Sequence, residues 1–488
     1  MKNRKWKMEN GNERPEDFMK KRFMIGAVTL SLLAGCTVGP KYRRPTVKSP
    51  DVFRGTADPT AAPDPNSLAD LKWFEVFKDS QLQELIRTAL VENYDIRDAI
   101  ARVSAARANL GIISAEQFPN VAGSADITTL RNSASGALPL PPGIGLKRTF
   151  GSVLVDLLSF EVDLWGRLRR QTEAARAQWR ASEEDRRAVM TILVGDVASA
   201  YFSLLELDTE LAISKRTLAT REESLRLIRV RQQGGVATML EVRQGEQLVY
   251  TAAATIPDIE RLIEQTENQI SLLLGKYPGP VTRGRTLIEQ EQPSSVPPGL
   301  PSSLLERRAD IREAEQNLIA ANANIGVAKA AYFPQLSLTG FLGFESSHLS
   351  NLFTGPTRTW QFVPQVTQPI FTAGALKSNV RLASARQQIA LIHYERSIQT
   401  AFSDVSNALI QHRKVREIRA QQELLVTTLE DRRRLAYMRY QGGVDSLLNA
   451  LDADRDLFSA ELSLSQARRN ELTALVLLYR ALGGGWQQ

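Results

Sequence analysis

Three aspartates, Asp452, Asp454 and Asp456, alternate along "LDADRDLF" and begin like a calcium loop, whose carboxylates must converge on one hard cation. The central glycine and closing glutamate of such a loop are missing at the required positions, and the surrounding pattern is helical. His348, His393 and His412 share no spacing that would bring imidazoles onto one metal. A Walker A loop and a GxSxG elbow are absent from the sequence, and scattered serines and aspartates make no triad. The reading is therefore no enzyme, no metal and no cofactor. What remains is a spacing of 3, 4 and 3 in Asp445, Leu448, Asp452 and Arg455, which places them on one stripe of a helix. Val444, Leu447, Leu451, Phe458 and Leu462 make a second, apolar stripe that can face a neighbouring helix, leaving the first free to face water.

Those stripes need a helix to carry them, and that helix has a twin. "RYQGGVDSLL" (Arg439–Leu448) aligns with "RQQGGVATML" (Arg231–Leu240) at an offset of 208 residues. Upstream, "DIREAEQNLIAANANIGVAKAAYFP" from Asp310 repeats "DIRDAIARVSAARANLGIISAEQFP" from Asp95 at an offset of 215. Ile96, Val103 and Leu110 match Ile311, Leu318 and Ile325, an apolar recurrence every seven residues that describes coiled-coil packing. The chain is a tandem duplication, with copies at 78–275 and 302–483, a linker at 276–301 and a tail at 484–488. In each copy a helical run of about 67 residues leads to Gly234-Gly235 or Gly442-Gly443, and a returning helix of about 38 follows. Glycine accepts the positive φ that ends a helix and reverses the chain. Ala237, Glu241 and Glu246 stand opposite Asp445, Asn449 and Asp454, so the two hairpins are unequal.

Each copy also holds an alternating segment, a β-hairpin at about 120–164 and another at about 335–371. "QLSLTGFLGF" puts Leu336, Leu338, Leu342 and Phe344 on one face and Gln335, Ser337 and Thr339 on the other. In "FGSVLVDLLSFEVDL" the apolar face changes phase, from Val153, Val155 and Leu157 to Phe160, Val162 and Leu164. Pro364 and Pro369 fall in the last strand, where each removes a ladder donor and bends it away from the sheet. After the N-terminal region no stretch approaches 20 apolar residues, so a membrane crossing would have to be a barrel. Four strands cannot close one, since the smallest single-chain barrels have about eight; a trimer would supply twelve.

Composition fits an ordered chain, with 43% hydrophobic and 24% charged residues. The charge of +7 is spread among acids along helical stretches, which argues against nucleic acid. The single cysteine, Cys36, rules out an internal disulfide and ends "MKKRFMIGAVTLSLLAGC": basic residues, an apolar run from Phe23 to Ala34, then small residues. The run is too short to span a bilayer and resembles a bacterial lipoprotein signal, with Cys36 as the acylated first residue, carrying diacylglycerol and an N-acyl chain. Thr37 stands where an aspartate would argue for inner-membrane retention, so the outer membrane is the expected address. Residues 1–35 are read as an upstream extension plus signal, with Met19 a good alternative start, and 36–77 as an acylated N-terminal segment and equatorial region.

"CTVGPKYRRP", "FEVDLWGRLRR", "LPSSLLERRADIREAEQNLIAANANIGVAKAAYFPQLSLTG", "PIFTAGAL" and "LYRALGGGW" together resemble the TolC-like outer-membrane factors, specifically the lipid-anchored NodT branch. The resemblance implies a mainly α protein with a membrane β-barrel: a homotrimer whose duplicated helical hairpins form an α-barrel tunnel continued by a twelve-stranded β-barrel in outer-membrane lipid. It implies a periplasmic adaptor and an inner-membrane transporter of the RND type as partners. It places the Gly-Gly turns at the periplasmic tip, with Leu448 as an apolar constriction, Asp452 as a carboxylate ring, Arg455 as a tether and Asp445 beside them. The expected function is a passive exit duct for small toxic compounds. A duct for polypeptide export has the same architecture, whereas a periplasmic adaptor usually carries a single hairpin among β-domains.

Overall fold

The computed structural model describes residues 37–47, 50, 52–56, 67–133, 145–293 and 296–486. Cys36 and the signal lie outside the described residues. The main helices are α1 (Ser80–Glu92), α2 (Tyr94–Ala115), α3 (Arg167–Gln233), α4 (Met239–Leu273), α5 (Ala309–Ala330), α6 (Ala375–Gln441) and α7 (Leu447–Ala481). α3 and α6 each run 67 residues, about 100 Å at 1.5 Å per residue. The returning α4 and α7 each run 35 residues, shorter than the sequence suggests.

Strands β1 (Val121–Arg131), β2 (Lys147–Val162), β3 (Gln335–Ser346) and β4 (Arg358–Thr367) form one antiparallel sheet in that order. The change of phase in β2 has a physical cause. Leu157 pairs with Gly340 but Phe160 with Leu338, so a bulge spends one extra residue on β2. Phe160 and Val162 thereby stay on the face that carries Val153, Val155 and Leu157 instead of switching away from it. Val162 ends the strand, which leaves Leu164 beyond it. Two expectations for β4 are corrected: Pro364 keeps its register with Leu338, and Pro369 lies past the strand's end at Thr367. Pro364 can keep its place because, within one chain, β4 ladders with β3 on one side only.

The chain forms two compact units, each drawn from both repeats. The first contains the sheet, with Ala106–Trp179, Asn317–Leu391 and the described residues up to Arg44. Here small side chains let α3 and α5 approach closely, through Ala174, Ala177, Ala320 and Ala323. Trp165 stacks on Phe333 at 4.7 Å and donates through Nε1 to the Pro334 carbonyl at 2.7 Å.

The second unit contains Pro45–Ala105, Arg180–Gln316 and Ile392–Gln488. One 18-residue window of α3 reaches a mean hydropathy of 1.7, against the expectation of no such stretch, yet 67% of it is buried. It supplies a core, including Val197, Tyr201 and Leu204, in which Gly195 meets Val476 of α7. The linker is laced to this core through Asp79, which caps α1 by accepting from the Gln81 amide at 2.8 Å. Asp79 also accepts from the Tyr201 hydroxyl at 3.0 Å, the Arg285 amide at 3.0 Å and the Gln290 side chain at 2.8 Å. Gly284 is required beside it, since a Cβ there would fall 2.3 Å from Asp79 Oδ1.

Burial pushes the Asp79 carboxyl upward, but hydrogen bonds from Gln290, Arg285, Gln81 and Tyr201 outweigh it and hold the group below its ordinary range. A lowered folded pKa gives stability that is present above the unfolded value and lost as pH falls through the folded one. Asp79→Ala, which orphans several buried donors, is expected to cost about 3 kcal/mol at neutral pH. In thermal unfolding of the detergent-solubilised protein, its deficit against the parent should shrink as the pH drops below about 3.9.

Candidate functional site

The two Gly-Gly turns reverse the chain by the same hydrogen bonds. The Val236 amide reaches back to the Arg231 carbonyl at 2.9 Å, and the Val444 amide to Arg439 at 3.1 Å. Only the second glycine of each pair takes the left-handed conformation, Gly235 at φ +74° and Gly443 at φ +73°. Gly234 and Gly442 instead donate to Val230 and Met438, extending the helical bonding by one residue. The next helices start differently. Thr238 and Glu241 form a reciprocal capping box on α4. On α7 the N-cap Ser446 makes no side-chain cap bond, and Asp445 organises the turn. It accepts from Arg439 at 3.0 Å, Asn449 at 2.7 Å and the Ser446 amide at 2.8 Å, with Arg439 chiefly holding its carboxyl below the ordinary range.

Asp445 therefore precedes α7 and does not extend the stripe of Leu448, Asp452 and Arg455. Those three share an exposed face, with Leu448 half exposed. Arg455 reaches Asp452 at 3.1 Å and Asp456 at 3.2 Å, so among the described residues its ion pairs lie within α7. In the apolar stripe, Leu447, Leu451 and Phe458 are buried as expected. Val444 is instead exposed in the turn, and Leu464 is buried where Leu462 is only half-buried. The three alternating aspartates do not converge on one point: Asp452 and Asp456 share Arg455, whereas Asp454 turns to Arg221 and Arg433.

The residue that sequence reasoning missed is Asp454. It is buried on α7, accepting from Arg221 Nε of α3 and Arg433 Nε of α6, both at 2.8 Å. Arg221 is buried too, donates to the Leu248 carbonyl of α4 at 2.9 Å, and lies 4.9 Å over the Phe458 ring. One carboxylate thus ties all four helices of the two hairpins. Its signal was present in the spacing: Leu447, Leu451, Asp454 and Phe458 form a seam broken by one acid, a device that fixes register in coiled coils. The counterpart, Glu246, works differently. It is held by Arg229 of α3 at 2.9 Å and Arg243 of its own helix at 2.6 Å, so it closes the first hairpin on itself.

The family model described as "Outer membrane efflux protein" matches residues 85–276 and 300–484. The toluene efflux pump outer membrane protein TtgC of Pseudomonas putida is 38% identical over 474 residues, covering 96% of this chain and 97% of the relative. Among solved structures, the outer-membrane channel OprN superposes with a TM-score of 0.85 at 31% identity, covering 93% of this chain and all of the other. The open state of the MtrE outer membrane channel of Neisseria gonorrhoeae gives 0.83 at 32% identity, covering 93% and 99%.

Asp454→Ala would leave Arg221 buried without its counter-charge, at a cost of about 3–5 kcal/mol. Amide exchange should accelerate in 221–248 and 433–458 while the segments around Asp79 keep their protection. Asp452→Ala removes only an exposed ion pair, worth at most about 1 kcal/mol, and should leave the exchange pattern unchanged.

Proposed function

We propose that this chain, which belongs to the outer membrane efflux protein family and is the outer-membrane channel of a tripartite efflux system, works as a passive homotrimeric exit duct for small toxic compounds. Its family is one of transport ducts, not enzymes. The observation that carries the trimer is a sheet with one apolar face, one polar face and two open edges, β1 and β4. Unpaired backbone groups are too costly in hydrocarbon, so the edges must be paired, and three copies close a twelve-stranded wall. Unequal burial of the twin helices supports the same reading. Leu318 and Ile325 of α5 are buried within the chain, whereas their matches Val103 and Leu110 on α2 stay half-exposed, as a surface meeting another copy would.

The gate lies at the helix tips. Leu448 supplies an apolar constriction and Asp452 a ring of carboxylates whose mutual repulsion favours opening. Arg455 moderates that repulsion by pairing with Asp452. The Asp454 clasp opposes opening by holding the second hairpin against the first. Asp445 stiffens the turn after Gly442-Gly443, and with Gly234-Gly235 these tips offer the adaptor its docking surface. The adaptor would link the duct to an inner-membrane transporter, of RND type by family resemblance. Cys36 carries the lipid anchor. The toluene named for the Pseudomonas putida relative is the kind of small apolar compound the duct would pass.

Deleting the gene should raise susceptibility and dye accumulation across amphiphilic toxic compounds and leave secreted polypeptides unchanged; a missing secreted polypeptide with unchanged susceptibility would move the chain to polypeptide export. In planar bilayers Leu448→Ala and Asp452→Ala should alter single-channel conductance, and unaltered conductance would remove both from the constriction. The intact mass of the envelope-purified protein should start at Cys36 with its acyl chains, and Cys36→Ser should lack that addition.

A further inference from the structure

The register of the sheet sorts its charges by face. One face runs through Val155, Leu342 and Trp360 and, further toward the hairpin loops, through Val153 and Phe344. At the loop end of this same apolar face stand Arg131 paired with Lys147, and Arg358 paired with Phe344. The opposite face carries Asp126, Ser152 and Glu345 in one row, with Ser152 donating to Asp126. In the sequence no acid occurs between Asp126 and Asp156 or between Glu345 and Glu395, so neither hairpin loop can neutralise the three cations.

The β3–β4 loop adds an apolar contact surface beside them. Phe353 packs edge-on against Phe344 at 5.5 Å, and Leu349 covers Gly151. The loop therefore folds onto the apolar face, yet Leu349 and Phe353 keep 61% and 70% of their surface exposed, and Trp360 keeps 75%. Exposed aromatics beside cations that have no ion pair among the described residues, at the rim of an apolar band, match an amphiphile with acyl chains and an anionic head.

We propose that Arg131, Lys147 and Arg358 form a binding site for the phosphorylated headgroup of an outer-leaflet glycolipid, with Leu349, Phe353 and Trp360 against its acyl chains. This rests on the outer-membrane channel reading, which puts the hairpin loops at the external surface and the apolar face toward lipid. The three cations are on the membrane side of the wall, so a lipid reaches them along the bilayer and a solute in the channel does not. Because β1 and β4 are the sheet's edges, Arg131 and Arg358 would flank each seam between copies and bind one lipid across it.

The full chain, purified in detergent, is titrated with diphosphoryl lipid A and read by native mass spectrometry, with phosphatidylcholine and inorganic phosphate as parallel probes. The unmodified chain should retain diphosphoryl lipid A, and the triple variant Arg131→Gln, Lys147→Gln, Arg358→Gln should bind it roughly a hundredfold more weakly. The adjacent pair gives a test that does not depend on the triple variant folding. Lys147→Gln should weaken binding about fivefold, whereas Arg148→Gln, on the opposite face, should not. Equal effects of the two, or equal retention of phosphatidylcholine, would overturn the site; competition by inorganic phosphate alone would overturn the lipid as its ligand. Orientation is checked separately by labelling Ser350→Cys on intact cells with an impermeant maleimide. Absence of label there would contradict the outer-membrane reading itself, whatever the lipid titration gives.

Discussion

A four-stranded sheet with both edges open is the constraint on which the rest of the structure depends. In water such edges could be covered by a loop or left to solvent, but in hydrocarbon every backbone donor and acceptor needs a partner. The sheet's two faces, one apolar and one bearing Ser124, Asp126 and Asp156, match a wall with lipid on one side and water on the other. On the proposed reading, closure comes from further copies of the same sheet. Each copy also brings two helical hairpins, each with one arm of 67 residues.

Duplication supplies the parts, and divergence gives them different jobs. The repeats agree where geometry is demanding: both long helices have the same length, and both turns place the second glycine near φ +74°. They disagree where load is carried. Glu246 closes its own hairpin, whereas Asp454 grips arginines from both long helices. A buried charge set of this kind contributes little net stability compared with apolar packing, but losing one member is costly. That asymmetry suits a clasp, which must hold one arrangement firmly without making the whole assembly rigid.

Much of this was legible in the sequence, for physical reasons. Heptad spacing, glycine pairs and strand alternation are local signals, and they located the long helices, both turns and all four strands. The β2 bulge was visible only as a change of phase, because one extra residue alters register through the partner strand, which the sequence does not reveal. Asp445 was misplaced because a 3–4 spacing also counts residues just ahead of a helix, and only the Ser446 N-cap shows where α7 starts. Asp454 was passed over as one of three alternating acids. Its partners Arg221 and Arg433 lie 233 and 21 residues away, and such pairings depend on tertiary packing.

On the proposed reading three copies close the wall by pairing β4 of one with β1 of the next. Single-particle cryo-electron microscopy of the full chain in lipid nanodiscs tests it most directly. A threefold particle with twelve continuous strands and a β4–β1 ladder at each seam is expected. A monomer with free sheet edges, or an assembly whose seams are formed by other strands, would contradict it.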